Sequence, residues 1–269
     1  FRTLIALCVV VLAFLLSVPG QLSAEINIVP HQAGYTLDIK RTSRDSRVAG
    51  ANGAMVYTWG ETCDGWTVEQ QFLLNIVQGN GDTVQLTAVS STWEAKDGGR
   101  LRFNIKRERN GETVEKIQGE ARLDAAEKSG YAEFELPKPV RIKLPKGTVF
   151  PTMHTLRLMR RAMQGFKTDR QFVFDGSELE EASPVSAFIL PPKMPKEPNP
   201  ILKPPLGPYE IRSINLAFFA PAGGAPEPEF EMSIALQDNG IAPGLLLDYG
   251  DYAVRGTLVR LKELDKPVC

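Results

Sequence analysis

The chain has 269 residues, 43% of them hydrophobic and 23% charged, with a formal net charge of −1 at neutral pH. This composition excludes a disordered or fibrous polymer. A balanced charge with no basic tract gives no general pull toward nucleic acid or an anionic membrane.

Arg2 precedes an apolar run from Leu4 to Leu16, which Ser17-Val18-Pro19-Gly20 breaks and Leu22-Ser23-Ala24 follows. A basic start, a short apolar stretch and a small-residue exit predict a secretory signal peptide over residues 1–24. Cleavage is expected after Ala24, with Gly20 as the alternative. The run spans 13 residues, against the roughly 20 apolar residues of a membrane-crossing helix, so an uncleaved anchor is the weaker alternative. Removal of the signal leaves Cys63 and Cys269, 206 positions apart. An even count in an exported chain suggests a structural disulfide and an oxidising compartment. A reactive thiol pair is the alternative, although redox pairs usually stand close in sequence.

From residue 25 onward the chain reads as strand after strand. Tyr35/Leu37/Ile39, Phe72/Leu74/Ile76, Val84/Leu86/Ala88 and Leu101/Phe103/Ile105 alternate with polar residues, the pattern of strands with one buried face. Gly79-Asn80-Gly81, Gly98-Gly99 and Asn110-Gly111 separate them and predict tight hairpins. Phe134/Leu136 and Val140/Ile142/Leu144 continue the alternation, and Pro137 and Pro139 between them mark an edge or a break. Residues Pro151 to Gln164, with Gly165 after them, carry the punctuation of a helix. Leu156, Met159 and Met163 fall on one face of it, and Arg157, Arg160 and Arg161 elsewhere. Such an amphipathic helix is expected to pack on the concave side of the sheet.

Strands resume at Gln171–Asp175. Pro191 to Pro208 then holds eight prolines in eighteen positions. That density bars a central strand and predicts an extended, semi-rigid excursion, or alternatively a partner-docking ligand. Tyr209–Phe219, Phe230–Leu236, Leu245–Tyr249 and Tyr252–Leu264 are the remaining predicted strands. The expected architecture is a single β-rich domain over residues 25–269.

Chemistry is scarce. His31 and His154 stand apart, and imidazole metal sites need clustered ligands. There is no nucleophile elbow, phosphate loop or dinucleotide fingerprint. Asp248 and Asp251 could form a carboxylate pair, but a turn accounts for them as well. No catalytic residue, metal or cofactor is expected.

Several segments resemble the EipB-like family of periplasmic cell-envelope integrity proteins. They are Pro30–Tyr35, Gly53–Tyr57 leading into Thr62-Cys63-Asp64-Gly65-Trp66, Phe150–Thr155, Phe174–Ser177, Asp238-Asn239-Gly240, Asp248–Tyr252 and the terminal Cys269. The resemblance implies a strongly bent antiparallel β-spiral, or half-open barrel, around one helix, similar to periplasmic lipoprotein carriers. It also implies a Cys63–Cys269 disulfide, a periplasmic location and a role in envelope maintenance. The favoured expectation is a non-catalytic protein that binds a lipid, lipoprotein or envelope protein in its concave face, with Leu156, Met159 and Met163 as candidate pocket-lining residues. A scaffold for a protein partner and, last, a carboxylate-dependent envelope hydrolase are the alternatives.

Overall fold

The computed structural model describes residues 26–124, 129–221 and 226–269. The proposed signal peptide lies outside the described residues. The first arm of the sheet is a meander of β1 (His31–Thr42), β2 (Val48–Glu61), β3 (Gly65–Gln78), β4 (Thr83–Ala95), β5 (Arg100–Arg109), β6 (Glu112–Leu123), β7 (Gly130–Leu136) and β8 (Val140–Leu144). The chain then passes through β9 (Thr148–Val149) and α1 (Pro151–Met163). It returns as a second arm of β10 (Thr168–Val173), β11 (Ser183–Ile189), β12 (Ile211–Phe218), β13 (Phe230–Gln237), β14 (Gly244–Asp248) and β15 (Tyr252–Glu263). All belong to one sheet, whose spatial order runs from β8 down to β1, then from β15 down to β9. First and last strands therefore pair, antiparallel, from His31–Glu263 to Thr42–Tyr252. Among the described residues only the short β9–β10 pair is parallel.

The sheet has to be rolled. Strands β4 and β11 stand eight places apart in it, which in a flat sheet would be about 40 Å. Yet both meet the same helix: Glu94 of β4 bonds its first turn, and Val185, Ala187 and Ile189 of β11 share a core with Leu156 and Met159. The result is a β-spiral, a half-open barrel around α1. Surrounded in this way, α1 buries Thr152, His154, Leu156, Leu158, Met159 and Ala162, more than one stripe. Pro151 opens it, and Gly165, at φ +79°, supplies the left-handed residue that ends it.

The inner face carries three apolar clusters. One surrounds α1 and includes Trp59, Ile214 and Leu216. A second lies under β5–β8, where Phe103 meets Phe134 and Phe174 edge-on at 5.2 and 5.8 Å. The third joins Tyr35, Leu37, Met55 and Leu74 to Leu202, Ile201 and Leu206. Those last three come from the proline-rich segment. Leu202 is only 4% exposed. Asn199 donates to the Leu258 carbonyl at 2.8 Å, and Gln237 takes up the Tyr209 amide at 2.8 Å. The first part of the segment, residues 191–200, is mostly exposed, as an excursion would be, whereas its end is anchored to the core. Its end, around Leu202, plugs the inner face of β1–β3 and β15.

Four stretches that the alternation did not reveal are strands: β2, β6, β11 and the two-residue β9. Gly50, Gly53 and Gly60 blur the pattern in β2, as Gly119 does in β6. Added to Gly53 or Gly119, a Cβ would meet a backbone carbonyl oxygen at 2.0 or 2.3 Å, so close strand approach demands glycine there. Pro137 and Pro139 do stand beside an edge, since β8 ends the sheet.

Candidate binding site at the disulfide mouth

Cys63 sits at the tip of the β2–β3 hairpin. Thr62 shapes that tip by donating its amide to the Gly65 carbonyl at 2.8 Å and its hydroxyl to Asp64 at 3.0 Å. The chain beyond β15 turns across the same end of the roll. Leu264 donates to the Pro30 carbonyl at 2.8 Å, and Lys266 Nζ reaches Asn27 Oδ1 at 2.8 Å. The Cys63 and Cys269 sulfurs are bonded, with their Cα atoms 5.7 Å apart. The bond ties this tail to the hairpin.

Beneath the tail lies a cavity of about 500 Å³, within the range of small-ligand sites. Its floor is apolar: Ile26, Ile28, Trp59, Trp66 and Leu156. The two indole rings lie 6.5 Å apart, inclined by 32°. Its rim is polar, with Lys96 paired to Glu61 at 2.7 Å and Lys266 beside the tail. An apolar floor below a charged rim suits an amphiphile, whose tail is dehydrated while its head stays wet.

The three helix residues separate here. Leu156 lines the cavity. Met159, 4% exposed, is core packing behind it. Met163 is 45% exposed in the last turn and belongs to the outside. The sequence expectation placed all three on one pocket face. In the structure the helix, inside a roll, meets the sheet on several sides, and of the three Leu156 is the one at this cavity.

Glu94 holds the helix in place. Phe150, the residue before α1, has no side chain able to cap it. The Glu94 carboxylate does so from β4, accepting from the Thr152 amide at 2.7 Å and the Met153 amide at 2.8 Å. These are donors that a helix start leaves unpaired. Burial pushes the carboxyl up to about 7, although bonds from Met153 and Thr152 pull the other way. Burial likewise raises the Tyr57 phenol, and Glu94 adds to this. Burial lowers His154 to about 4, so it is a neutral core residue. Burial also lowers His31, whose Nδ1 lies 2.7 Å from the Val29 carbonyl. Asp248 is gripped by Arg41 through two 2.7 Å bonds and accepts from the Gly250 amide. Its partners are those of a turn and an ion pair.

Sequence reasoning missed Glu94, Trp59 and Trp66. The signal for Glu94 was present: it shares parity with Leu86 and Ala88, the buried side of β4. The two tryptophans flank Cys63, but only the roll brings them over Leu156.

A family model described as EipB-like matches residues 22–265. The cell envelope integrity protein EipB of Brucella abortus (strain 2308) is 29% identical over 249 residues, covering 90% of this chain and 87% of that protein. A crystal structure of a β-barrel-like protein of a domain of unknown function, also from Brucella abortus, superposes with a TM-score of 0.83 at 26% identity. It covers 89% of this chain and 100% of the other.

Proposed function

This chain belongs to the EipB-like family, and from that premise we propose that it is a non-catalytic periplasmic protein supporting cell-envelope integrity by holding an acyl-bearing lipid or lipoprotein at the disulfide mouth. The cavity over Trp59, Trp66 and Leu156 carries this reading. Its volume, aromatic floor and wet rim fit one acyl chain entering from the open end. Because α1 packs inside the roll and the cavity lies under the tail after β15, the ligand is a guest at the rim rather than a filling of the barrel. The bond between Cys63 and Cys269 supports export to an oxidising compartment.

Native mass spectrometry of the protein recovered from the periplasm tests the reading. An added mass matching an acyl lipid is expected, and Trp66→Ala should lose it while staying folded. Trp66 is half-buried, so its truncation spares the core better than a change at Met159 would. A bare protein whose tryptophan fluorescence ignores added phospholipid would sink the carrier reading and leave a stapled scaffold.

A further inference from the structure

Where α1 leaves the roll and the chain enters β10, four large apolar side chains face solvent: Met163 and Phe166 at 45% exposure, Phe188 at 48% and Leu190 at 36%. Phe188 is the cross-strand partner of Thr168, and Ile189 donates to the Lys167 carbonyl at 2.8 Å, so these residues form one surface. Buried Val185, Ala187 and Ile189 take the inner positions of β11 and force Phe188 and Leu190 outward. Arg161 stacks over the Phe166 ring at 3.6 Å and holds it in this exposed position.

Three cations frame the patch: Arg160, Lys167 and Arg170, all exposed. Among the described residues none of them forms an ion pair. Asp169, the acid nearest in sequence, points inward and is held by Arg157 at 2.7 and 2.9 Å and by Arg161 at 3.3 Å. The carboxylates of Glu178, Glu180 and Glu181 belong to the turn at the far end of β10. Beyond it, the outer face of β11–β13 carries mostly small uncharged side chains, with Ser186, Ser213, Asn215, Ala217, Ser233 and Ala235 in register and the acid Glu231 across from Ala217. Exposed aromatic and aliphatic groups ringed by unpaired cations match the interface of an anionic bilayer, where rings enter the headgroup boundary and cations meet phosphates.

We propose that this patch docks the protein peripherally on anionic phospholipid surfaces. The near-zero net charge hides it, because the acids that balance these cations lie elsewhere. The proposal does not rest on the cavity at the mouth, and the two are tested separately.

The experiment is co-sedimentation of the folded, oxidised protein with vesicles of phosphatidylcholine alone or mixed with phosphatidylglycerol. Binding to the mixed vesicles, reversed by salt, is expected. Each basic side chain near a bilayer is worth about fivefold in affinity, so Lys167→Glu/Arg170→Glu should weaken binding roughly 25-fold or more. Phe166→Ser/Phe188→Ser should abolish sedimentation while leaving the circular dichroism unchanged, and Trp66→Ala should bind as wild type does. Wild type that ignores the mixed vesicles, binds neutral ones equally, or binds as well after these changes overturns the proposal. So would a dimer in sedimentation velocity that the same variants dissolve without any vesicle binding, because the patch would then belong to a second copy.

Discussion

The two arms of the sheet have similar interiors and different exteriors. Under the first arm lie Leu101, Phe103, Ile117 and Phe134, and under the second Val185, Ile214 and Leu216, all nearly inaccessible. Outside, the first arm is laced with charge: Glu120 gathers Arg100, Arg102 and Arg122, and Lys106 meets Glu108. Across β11–β13 the second arm presents mostly alanine, serine, asparagine and phenylalanine outward, with Glu231 opposite Ala217. Exposed ion pairs contribute about 0–1 kcal/mol each, so this difference decides little about stability. It decides what each face tolerates as a neighbour. A charged face is costly to dehydrate, whereas an uncharged one can be covered cheaply.

The largest expected effect comes from cutting the tie between the arms. Cys63→Ser/Cys269→Ser frees the tail that follows β15 from the first arm's hairpin. Urea unfolding should show a loss of roughly 2–5 kcal/mol, with the mouth ligand lost as well. Unchanged stability would mean that the pairing of β1 with β15 alone holds the arms together.

Glu94 gives an intermediate effect, because it joins the first arm to the helix that the second arm surrounds. Its pKa is raised from 4.5 to about 7. A proton is therefore bound more tightly in the fold, and its contribution to stability is full below pH 4.5 and lost as pH rises through 7. His154, lowered from 6.5 to about 4, works the other way: its contribution is present above pH 6.5 and is lost as pH falls toward 4. Glu94→Gln mimics the protonated form. Melting temperatures of wild type and variant, compared across this range, should move in the variant's favour as pH rises from 4.5 to 7. A difference that stays flat with pH would place the carboxylate in one ionisation state throughout. Glu94→Ala, which leaves the two helix amides without an acceptor, should cost about 1–3 kcal/mol.

The smallest effects separate the exteriors most cleanly. Glu120→Gln should change stability by under about 1 kcal/mol, although three arginines surround the carboxylate. Burial raises the Glu120 carboxyl, but the hydrogen bonds from Arg100, Arg122 and Arg102 outweigh it and hold the group at about 2. That contribution is present above pH 4.5 and lost as pH falls toward 2, so the variant should match wild type most closely in strong acid. On the second arm, Phe188→Ser should leave the unfolding midpoint in place. A large destabilisation from either change would mean that the outer face carries packing.

Most of the strand inventory was legible because alternation is a local signal: Leu101/Phe103/Ile105 predicts the buried side of β5 without knowledge of its neighbours. The helix was legible from Pro151, Gly165 and its periodicity. Of the candidate site, the Cys63–Cys269 pairing was legible, whereas the approach of Trp59 and Trp66 to Leu156 was not. The misses have one cause. β2 and β6 carry glycines whose reason is a carbonyl on the next strand, and the proline-rich plug owes its burial to Leu258 and Gln237, far off in sequence.

The sequence by itself determined the β-rich class, the hairpin turns, the inner helix and the parity of each readable strand, because these depend on residues a few positions apart. The tertiary structure alone decided that Glu94 caps α1, that Trp59 and Trp66 lie over Leu156, and that Met163, Phe166 and Phe188 share an exposed surface. Those neighbours meet only when hydrogen-bond register is carried across fifteen strands and the sheet rolls on itself. No local propensity specifies that closure, which follows from burying the inner faces of both arms against one helix and one proline-rich plug.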